Sequence, residues 1–477
     1  MNPDPQTQLL PGGRKMKFFQ QFTMILIVLM TGFVLGQNPA DLSEEVIQQL
    51  RQSLEDDAHT RMLINAITNN EVNNLVLNRE RINSHNEIFN IQTEAKGITD
   101  QKSTGRCWMF AGLNIMRPSV MKKYNLAEFE FSQSYLFFWD KIEKANMFLE
   151  AVIAMRDRDV NDRELQILIA SPVADGGWWN YVVSLIEKYG VVPQDVFPET
   201  HNSSSSGRMN KAVETLARQY AAELRKMAED GKDEDVLRAR KNEMLKQIYR
   251  MLVLHLGIPP EKFVWRFQDS DKKIVEQTHT PKSFFAETVA FDLSQYVSIF
   301  DYPVHKYAQR YQIDYCRNMW DMADMDFINL PIDSLKVLGL RSLQAGEPVW
   351  FAADVGWQME RKLGIMAADI YDYSALYRIP FSINKADRLS FRATSPNHAM
   401  ILIAADLQDD KAVKWRVENS WGTDNGSKGY WTMYDGWFNE YVFTIIINQK
   451  YLAEDTKKLL KMKPQRLPAW DPMRQAF

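Results

Sequence analysis

The pattern of apolar residues changes near residue 345, and this change limits the architectures open to the chain. Before it, the strongest pattern has apolar residues at every third or fourth position, which is typical of helices. After it, short runs rich in β-branched and aromatic residues alternate with turn residues, which is typical of strands. A helical first part followed by a strand-rich last part predicts an α+β fold with two lobes. The predicted strands are 348–354, 399–405, 414–418 and 441–447.

The clearest helical stretch runs from Lys211 to Leu256. Its apolar residues fall at spacings of three and four, and Asp230-Gly231 interrupts the run near its middle. The pattern predicts a helical hairpin, which we interpret as an insertion rather than part of a catalytic layer. The serine run at 203–206 just before it predicts a flexible connector.

The overall composition restricts the classes of function. The chain has 477 residues, of which 45% are hydrophobic and 25% charged, and this predicts a globular protein of two or three structural units. Its formal net charge is −4, whereas a nucleic-acid binder usually carries a strong basic excess. It has only two cysteines, so no disulfide framework is expected and the cytosol is favoured. We expect one of them, Cys316, to be a small buried apolar residue.

The N-terminus indicates the secretory pathway instead. Residues 18–40 carry no charge, residues 22–35 are almost wholly apolar, and three basic residues stand just before them. This pattern is typical of a signal peptide or a short signal anchor. Residues 16–36 and the cysteine count therefore favour different compartments, and the sequence leaves the choice open. Contact with a membrane is expected only if the apolar segment is retained.

The segment Gln101-Lys-Ser-Thr-Gly-Arg-Cys107 carries the clearest chemical signal. It is the end of a turn-rich loop, and the apolar, helix-compatible run that follows begins with Cys107. A cysteine attacks as the thiolate, and the unsatisfied amides at a helix N-terminus stabilise that anion. The side-chain amide of Gln101 and the backbone amide of Cys107 are candidates for an oxyanion hole, which stabilises the tetrahedral intermediate of acyl transfer.

Two later segments supply the partners that such a thiol requires. His398 stands directly before an apolar predicted strand, which would hold its ring rigidly. Asn419, in Trp-Arg-Val-Glu-Asn-Ser-Trp-Gly, is able to accept a hydrogen bond from an imidazole and fix its tautomer. Trp421 is expected to shield that bond from water. Together these segments predict a catalytic set of Cys107, His398 and Asn419, with the cysteine as nucleophile.

The order Gln…Cys-Trp, then His-Ala, then Asn-Ser-Trp-Gly resembles the papain superfamily of cysteine peptidases. Within it, the chain is similar to the family of bleomycin hydrolases and aminopeptidases C, in the motif Gln-Lys-Ser-Thr-Gly-Arg-Cys-Trp-Met-Phe and in residues 131–141, 415–422 and 467–473. The resemblance runs from about residue 41 to the end. It implies a papain-like fold with a helical lobe, a β-barrel-like lobe, a helical insertion and a C-terminal arm in the cleft.

The departures from ordinary papain agree with this branch. Thr104 stands where secreted papain-like enzymes have a cysteine, and His398 lies 291 residues after Cys107, roughly twice the usual spacing. Gly176 and Gly177 resemble the glycine pair that binds substrate backbone in papain-like enzymes. The resemblance implies five segments: an N-terminal extension at 1–40, a helical lobe with the nucleophile at 41–200, a mainly helical insertion at 201–300, a β-rich lobe at 301–466 and the arm at 467–477.

The family resemblance implies a cysteine aminopeptidase that needs neither a metal nor an organic cofactor. It also implies a cytoplasmic homohexamer, in which the C-terminal carboxylate of Phe477 meets the free amino group of a peptide substrate. Bleomycin and homocysteine thiolactone are further substrates that the resemblance implies. One alternative is a secretory or vacuolar endopeptidase, which the N-terminal segment favours. Another is a scaffold that binds peptides without cutting them, which is disfavoured because every candidate catalytic residue is present.

Overall fold

The computed structural model describes residues 40–94 and 97–474 of the chain. The chain divides into two compact units, one ending at Leu75 and the other beginning at Val76. Within the described ranges, no helix is both long enough and apolar enough to cross a membrane. The segment 16–36, which predicts a signal peptide, lies outside the described residues.

The first unit is helical. Its first two helices each begin after a capping side chain: the hydroxyl of Ser43 accepts a hydrogen bond from the amide of Val46, and Asp57 accepts one from Thr60. Neither of these helices contains a buried residue. The helices of the unit are Glu44–Gln52, Ala58–Asn69 and most of Val72–Val76.

Helices also dominate the second unit up to about residue 256. The long helix Gln133–Ala154 packs against both helices of the predicted hairpin, Gly207–Glu229 and Glu234–Leu256. The break in that hairpin falls at Asp230-Gly231, so the prediction of two helices is confirmed. The other helices of this unit are Arg79–Ser84, Cys107–Asn114, Arg117–Lys123, Arg163–Ala170, Trp179–Tyr189, His201–Ser204, Pro281–Ser283, Ile332–Gln344, Tyr373–Tyr377, Lys385–Ser390, Asp435–Tyr441 and Glu454–Leu460, with short 3-10 or π turns at Gln194–Val196, Phe284–Val289, Leu293–Gln295, Gln449–Tyr451 and Pro472–Arg474.

The serine run is part of the folded structure and is not a flexible connector. His201–Ser204 is one helical turn, capped by the side chain of Thr200. Ser203 is buried, and Ser206 donates a hydrogen bond to a carboxylate oxygen of Asp175. The prediction was wrong because these hydroxyls bond to neighbouring groups of the fold instead of to water.

One twelve-stranded sheet organises the rest of the second unit. In chain order the strands of this unit are β1 Ile91–Gln92, β2 Phe263–Gln268, β3 Ile274–His279, β4 Tyr296–Phe300, β5 Gln309–Ile313, β6 Asp326–Asn329, β7 Val349–Ala353, β8 Met359–Glu360, β9 Ile365–Met366, β10 His398–Gln408, β11 Lys411–Glu418, β12 Tyr430–Tyr434, β13 Val442–Asn448 and β14 Gln465–Leu467. The order across the sheet is β14-β5-β6-β4-β13-β7-β10-β11-β12-β9-β8, and β1 also pairs with β10. Strands β2 and β3 form a separate hairpin, which lies in the stretch 201–300 together with the helical pair. The four strands predicted after residue 345 are confirmed as β7, β10, β11 and β13.

The helix Cys107–Asn114 lies against this sheet. Every residue of the helix is buried, and it packs on β10. The indole nitrogen of Trp350, in β7, donates a hydrogen bond of 3.1 Å to the carbonyl oxygen of Trp108. A helix that begins at Cys107 is thereby held beside a strand that begins at His398.

Candidate active site

Cys107 is the first residue of its helix, and only 2% of it is exposed. The backbone amides of Ala399, Trp108 and Cys107 itself act on its sulfur and each lowers the pKa of the thiol. The last two amides belong to the helix N-terminus, as the sequence predicts. Burial nevertheless raises the pKa of the thiol to about 12, because it outweighs the effect of these amides.

His398 begins strand β10, where its backbone pairs with Ala353 of β7. Its Nε2 atom lies 2.8 Å from Oδ1 of Asn419, and an amide oxygen only accepts hydrogen bonds. The ring therefore carries its proton on Nε2 and leaves Nδ1 as an acceptor. The backbone amide of the next residue, Ala399, lowers the pKa of the Cys107 thiol, so the start of this strand lies beside the thiol.

The pKa of His398 is also strongly shifted. Burial lowers it to about 4, with the positive charge of Arg361 acting in the same direction and the hydrogen bond to Asn419 opposing both. Neither a lone imidazolium nor a lone thiolate is therefore stable in this site. Transfer of the proton from Sγ to the ring would form both charges together without changing the net charge, and each would stabilise the other in a poorly hydrated environment.

Trp421 covers the ring of His398. The two ring centroids lie 4.6 Å apart with a tilt of 33°, and the guanidinium carbon of Arg361 lies 5.1 Å from the indole centroid. The indole thus separates the histidine and Asn419, which is 2% exposed, from solvent on this side. This is the position that the sequence predicts for Trp421.

Gln101 is buried, and both ends of its side-chain amide are fixed. Its Oε1 atom accepts a hydrogen bond of 2.7 Å from the hydroxyl of Ser420, and its Nε2 donates one of 2.7 Å to the carbonyl of Thr104. The backbone amide of Gln101 also donates to the carbonyl of Ser420, at 2.8 Å. An amide nitrogen carries two hydrogens, so one N–H remains to stabilise an oxyanion.

Gly177, the second glycine of the pair, lies against Trp108, the neighbour of the cysteine. A Cβ atom on Gly177 would stand 2.6 Å from Cε2 of the indole, so no larger residue fits without a shift. The indole nitrogen in turn donates a hydrogen bond of 2.8 Å to the carbonyl of Asp175. The glycine pair is therefore held directly next to the helix that begins at Cys107.

Both glycines line a cleft of about 740 Å³. Asn397, the residue before the histidine, lines the same cleft, as do Trp470 and Arg474 of the C-terminal arm. The described part of the arm thus runs along the cleft, as expected. Phe477, the predicted contact for the substrate amino group, lies outside the described residues.

Sequence reasoning missed the buried charges that hold the glycine segment. Burial by itself raises the pKa of Asp175, but the ammonium of Lys141 at 2.6 Å and hydrogen bonds from Ser206 and Gly105 hold it well below its usual range. The ammonium of Lys144 donates to the carbonyls of Ala174 and Gly176, at 2.7 and 2.6 Å. The available signal was the cluster of four charged residues, Asp140, Lys141, Glu143 and Lys144, in the middle of a largely apolar helix.

Asp354 also went unnoticed in the sequence. Its carboxylate accepts hydrogen bonds from the hydroxyl of Thr394 at 2.6 Å and from the side-chain amide of Asn397 at 2.7 Å. These bonds tie the loop that leads into His398 to the end of β7. Only the position of Asp354 as the last residue of a predicted apolar strand indicated such a role.

The remaining polar groups do not suggest a metal site. Within residues 40–94 and 97–474, no group of three or more histidines, cysteines, aspartates or glutamates is arranged to bind a metal ion.

Cys316 is a buried free thiol, as expected, and its sulfur lies 3.9 Å from the hydroxyl of Tyr181.

Comparison with known proteins places the chain in a family. The profile of the peptidase C1-like family matches residues 41–474. Aminopeptidase C of Lactobacillus delbrueckii subsp. lactis is 41% identical over 391 residues, which cover 81% of this chain and 87% of the relative. Bleomycin hydrolase of Rattus norvegicus is 38% identical over 449 residues, which cover 91% of this chain and 99% of the relative.

The fold agrees with the sequence comparison. The crystal structure of PepW from Lactobacillus rhamnosis HN001 matches with a TM-score of 0.89 at 38% identity, covering 91% of this chain and 99% of that protein. The predicted α+β, papain-like fold class is therefore confirmed. Because motif order, chain length and fold agree, this chain belongs to the peptidase C1-like family.

Proposed function

We propose that this cysteine aminopeptidase cleaves the first peptide bond of its substrates with Cys107 as nucleophile and His398 as proton carrier. Asn419 orients the histidine ring. The observation that carries this assignment is the hydrogen bond of 2.8 Å between Nε2 of His398 and Oδ1 of Asn419. It leaves Nδ1 free to exchange a proton with a thiol that lies at a helix N-terminus.

The reaction proceeds in two stages. The Cys107 proton moves to Nδ1 of His398, and the thiolate attacks the carbonyl carbon of the first residue. The backbone amide of Cys107 and the free N–H of Gln101 stabilise the oxyanion. His398 then protonates the leaving nitrogen as the C–N bond breaks, which leaves a thioester. Water gives a proton to the ring and attacks the thioester, and the thiol is restored when the C–S bond breaks.

The C-terminal arm supports an aminopeptidase rather than the endopeptidase alternative. Trp470 and Arg474 line the cleft beside Gly176 and Gly177, where the residues before the scissile bond of a longer substrate would lie. The terminal carboxylate of Phe477 is proposed to pair with the substrate ammonium. The relatives named aminopeptidase C and bleomycin hydrolase favour the same choice.

The same chemistry extends to related bonds. An amide of a small amine-bearing residue, such as the β-aminoalanine amide of bleomycin, presents the same carbonyl and free amino group as a peptide N-terminus. Homocysteine thiolactone presents an activated carbonyl and a free amine. We include both in the proposed substrate range because the relatives include a bleomycin hydrolase and because no cofactor enters the mechanism.

A pair of fluorogenic amides tests the proposal, one with a free amino terminus and one with that amine acetylated. Under reducing conditions we expect cleavage of the free-amine substrate alone, and none by Cys107→Ala. The matched control is Cys316→Ala, which removes the second thiol and should retain activity. Efficient cleavage of the acetylated amide would contradict the role of the arm, and an active Cys107→Ala enzyme would contradict the mechanism.

The proposal also includes the oligomeric state of the protein, a homohexamer, and its cellular location, the cytoplasm. Leu50, Met62 and Ile64, on the helices Glu44–Gln52 and Ala58–Asn69, are exposed apolar residues and so support a subunit interface in a homohexamer. The scarcity of cysteines and the family resemblance support the cytoplasm. Sedimentation equilibrium measures the mass of the assembly, and cell fractionation measures the location; a monomer or a secreted protein would contradict this part.

A further inference from the structure

The cleft that holds the glycine pair carries an unbalanced positive charge. Five cationic residues line it, and no aspartate or glutamate does so within the described part of the chain. The chain as a whole has a net charge of −4, so overall composition does not account for this cluster. The five residues are Lys144, Arg163, Arg317, Arg392 and Arg474.

Two of these cations already have carboxylate partners outside the cleft lining. The ammonium of Lys144 lies 2.7 Å from Asp140, and a guanidinium nitrogen of Arg317 lies 3.4 Å from Asp324. Arg163 and Arg392 are exposed, and neither forms an ion pair with any residue in the ranges 40–94 and 97–474. Their charges are therefore available to a ligand.

Arg163 and Arg392 both contact one residue of the arm. The guanidinium carbon of Arg163 lies 4.6 Å from the centroid of the Trp470 ring, and Nη2 of Arg392 donates a hydrogen bond of 3.1 Å to the Trp470 carbonyl. Arg163 comes from the start of helix Arg163–Ala170, whereas Arg392 comes from the loop that leads to His398. Two guanidinium groups from separate elements thus contact different parts of the same tryptophan in the cleft.

These two arginines lie on the acyl side of the reaction. Gly176, Gly177 and Asn397 line the same cleft, and in the proposed mechanism the glycine pair binds the part of the substrate that becomes the thioester. The first residue of an aminopeptidase substrate also brings an ammonium group here. In the proposed function the terminal carboxylate of the arm pairs with that ammonium, so it does not neutralise the two arginines, which still lack an anionic partner.

We propose that the cleft selects substrates whose first residue carries a side-chain carboxylate, aspartate or glutamate, and that Arg163 and Arg392 bind this carboxylate. A guanidinium group binds a carboxylate through two parallel hydrogen bonds, and partial exclusion of water strengthens them. The carboxylate is the anionic partner that the two arginines lack. This inference rests on the proposed aminopeptidase function and adds the substrate class.

The test compares matched aminoacyl-coumarin amides, Glu against Gln and Asp against Asn, at low ionic strength. We expect kcat/KM to favour the acidic member by about tenfold, the ratio given by one charge-assisted hydrogen bond. The ratio should fall at high salt, which screens exposed charges. Arg163→Gln and Arg392→Gln should each lower the ratio of kcat/KM for the acidic substrate to that for its amide counterpart. The matched control is Arg266→Gln, an exposed arginine on the β2–β3 hairpin, which should leave the ratio unchanged.

Equal cleavage of the acidic and amide members by the wild-type enzyme would overturn the inference. So would a preference that appears only after residues 475–477 are deleted, because the arginines would then bind the terminal carboxylate of the chain itself. An acidic preference that survives both arginine substitutions would also overturn it. Absence of Cys107-dependent cleavage of every amide would instead overturn the proposed function, and with it the substrate class.

Discussion

Ser420 links two motifs that are far apart in the sequence. Its hydroxyl donates to the side-chain oxygen of Gln101, 319 residues away, and its backbone carbonyl accepts from the amide of the same residue. Its own backbone amide donates to Oδ1 of Asn419 at 2.7 Å. One serine therefore contacts both the proposed oxyanion donor, Gln101, and Asn419, which bonds to the histidine ring.

We expect Ser420→Ala to lower kcat about tenfold with little change in KM, because a loosened oxyanion donor loses part of the roughly 100-fold effect of deleting one. Steady-state kinetics on a free-amine amide measures both constants. Ser390→Ala is the matched control, since this exposed hydroxyl donates only to the helix carbonyl of Ala386. An unchanged kcat, or a change confined to KM, would contradict the role of Ser420.

The glycine segment is held between two helices. Lys144, on the long helix Gln133–Ala154, donates to its carbonyls, and Trp108, on the helix Cys107–Asn114, packs against Gly177. Burial lowers the pKa of Lys144, while the charge of Asp140 opposes this shift. The position of the substrate-binding backbone therefore depends on how these two helices pack, and not on the segment alone.

We expect Gly177→Ala to lower the free energy of unfolding by about 1–3 kcal/mol, the usual cost of overpacking a filled core. It should also raise KM, because the new methyl group displaces the segment from Trp108. Urea denaturation and steady-state kinetics measure the two effects. Gly207→Ala is the control: no atom lies within 4 Å of its added Cβ, and alanine is favoured in a helix. Equal stability changes in both variants would contradict the packing argument.

The stability of the whole molecule should depend on the protonation of His398 once the thiol is removed. In a Cys107→Ala background, burial holds the pKa of the folded histidine near 4, below its unfolded value of about 6.5. The unfolded chain then binds more protons than the folded chain between these values. Stability from this residue is fully present above pH 6.5 and is lost as the pH falls toward 4.

The expected loss amounts to about 3 kcal/mol over that window. Adding His398→Gln to the Cys107→Ala background should remove it, whereas adding His59→Gln, an exposed histidine of the first unit, should not. Denaturant unfolding at pH 7 and pH 4.5 gives the comparison. A variant carrying both Cys107→Ala and His398→Gln whose stability falls as steeply as that of Cys107→Ala would contradict the assignment.

Glu418 gives the stability of the molecule a second pH dependence, so the contribution of His398 is measured as a difference between variants. Burial raises its pKa to about 7, while Arg117 and Asn114 act in the opposite direction. A raised carboxyl pKa contributes stability that is present below about pH 4.5 and is lost as the pH rises through 7. Its pH dependence therefore opposes that of His398, and only the difference between the variants isolates the histidine.

Local sequence determined the elements and the chemistry. A helix beginning at Cys107, the hairpin after Lys211 and the strand after His398 follow from the spacing of apolar residues and from turn residues, which act over a few positions along the chain. The candidate catalytic residues could be named from the sequence because each lies in a contiguous motif. Apolar periodicity does not report how a hydroxyl is used, so the serine run at 203–206 was misinterpreted.

The tertiary structure decided which distant polar groups meet. The bond between Gln101 and Ser420, the pairing of Asp175 with Lys141, and the contacts of Arg163 and Arg392 with Trp470 each join segments far apart in the chain. Side-chain hydrogen bonds form only within about 3 Å, and such distances are set by the packing of helices on the sheet. The sequence by itself therefore determined what the site contains, and the fold decided how it is supported and charged.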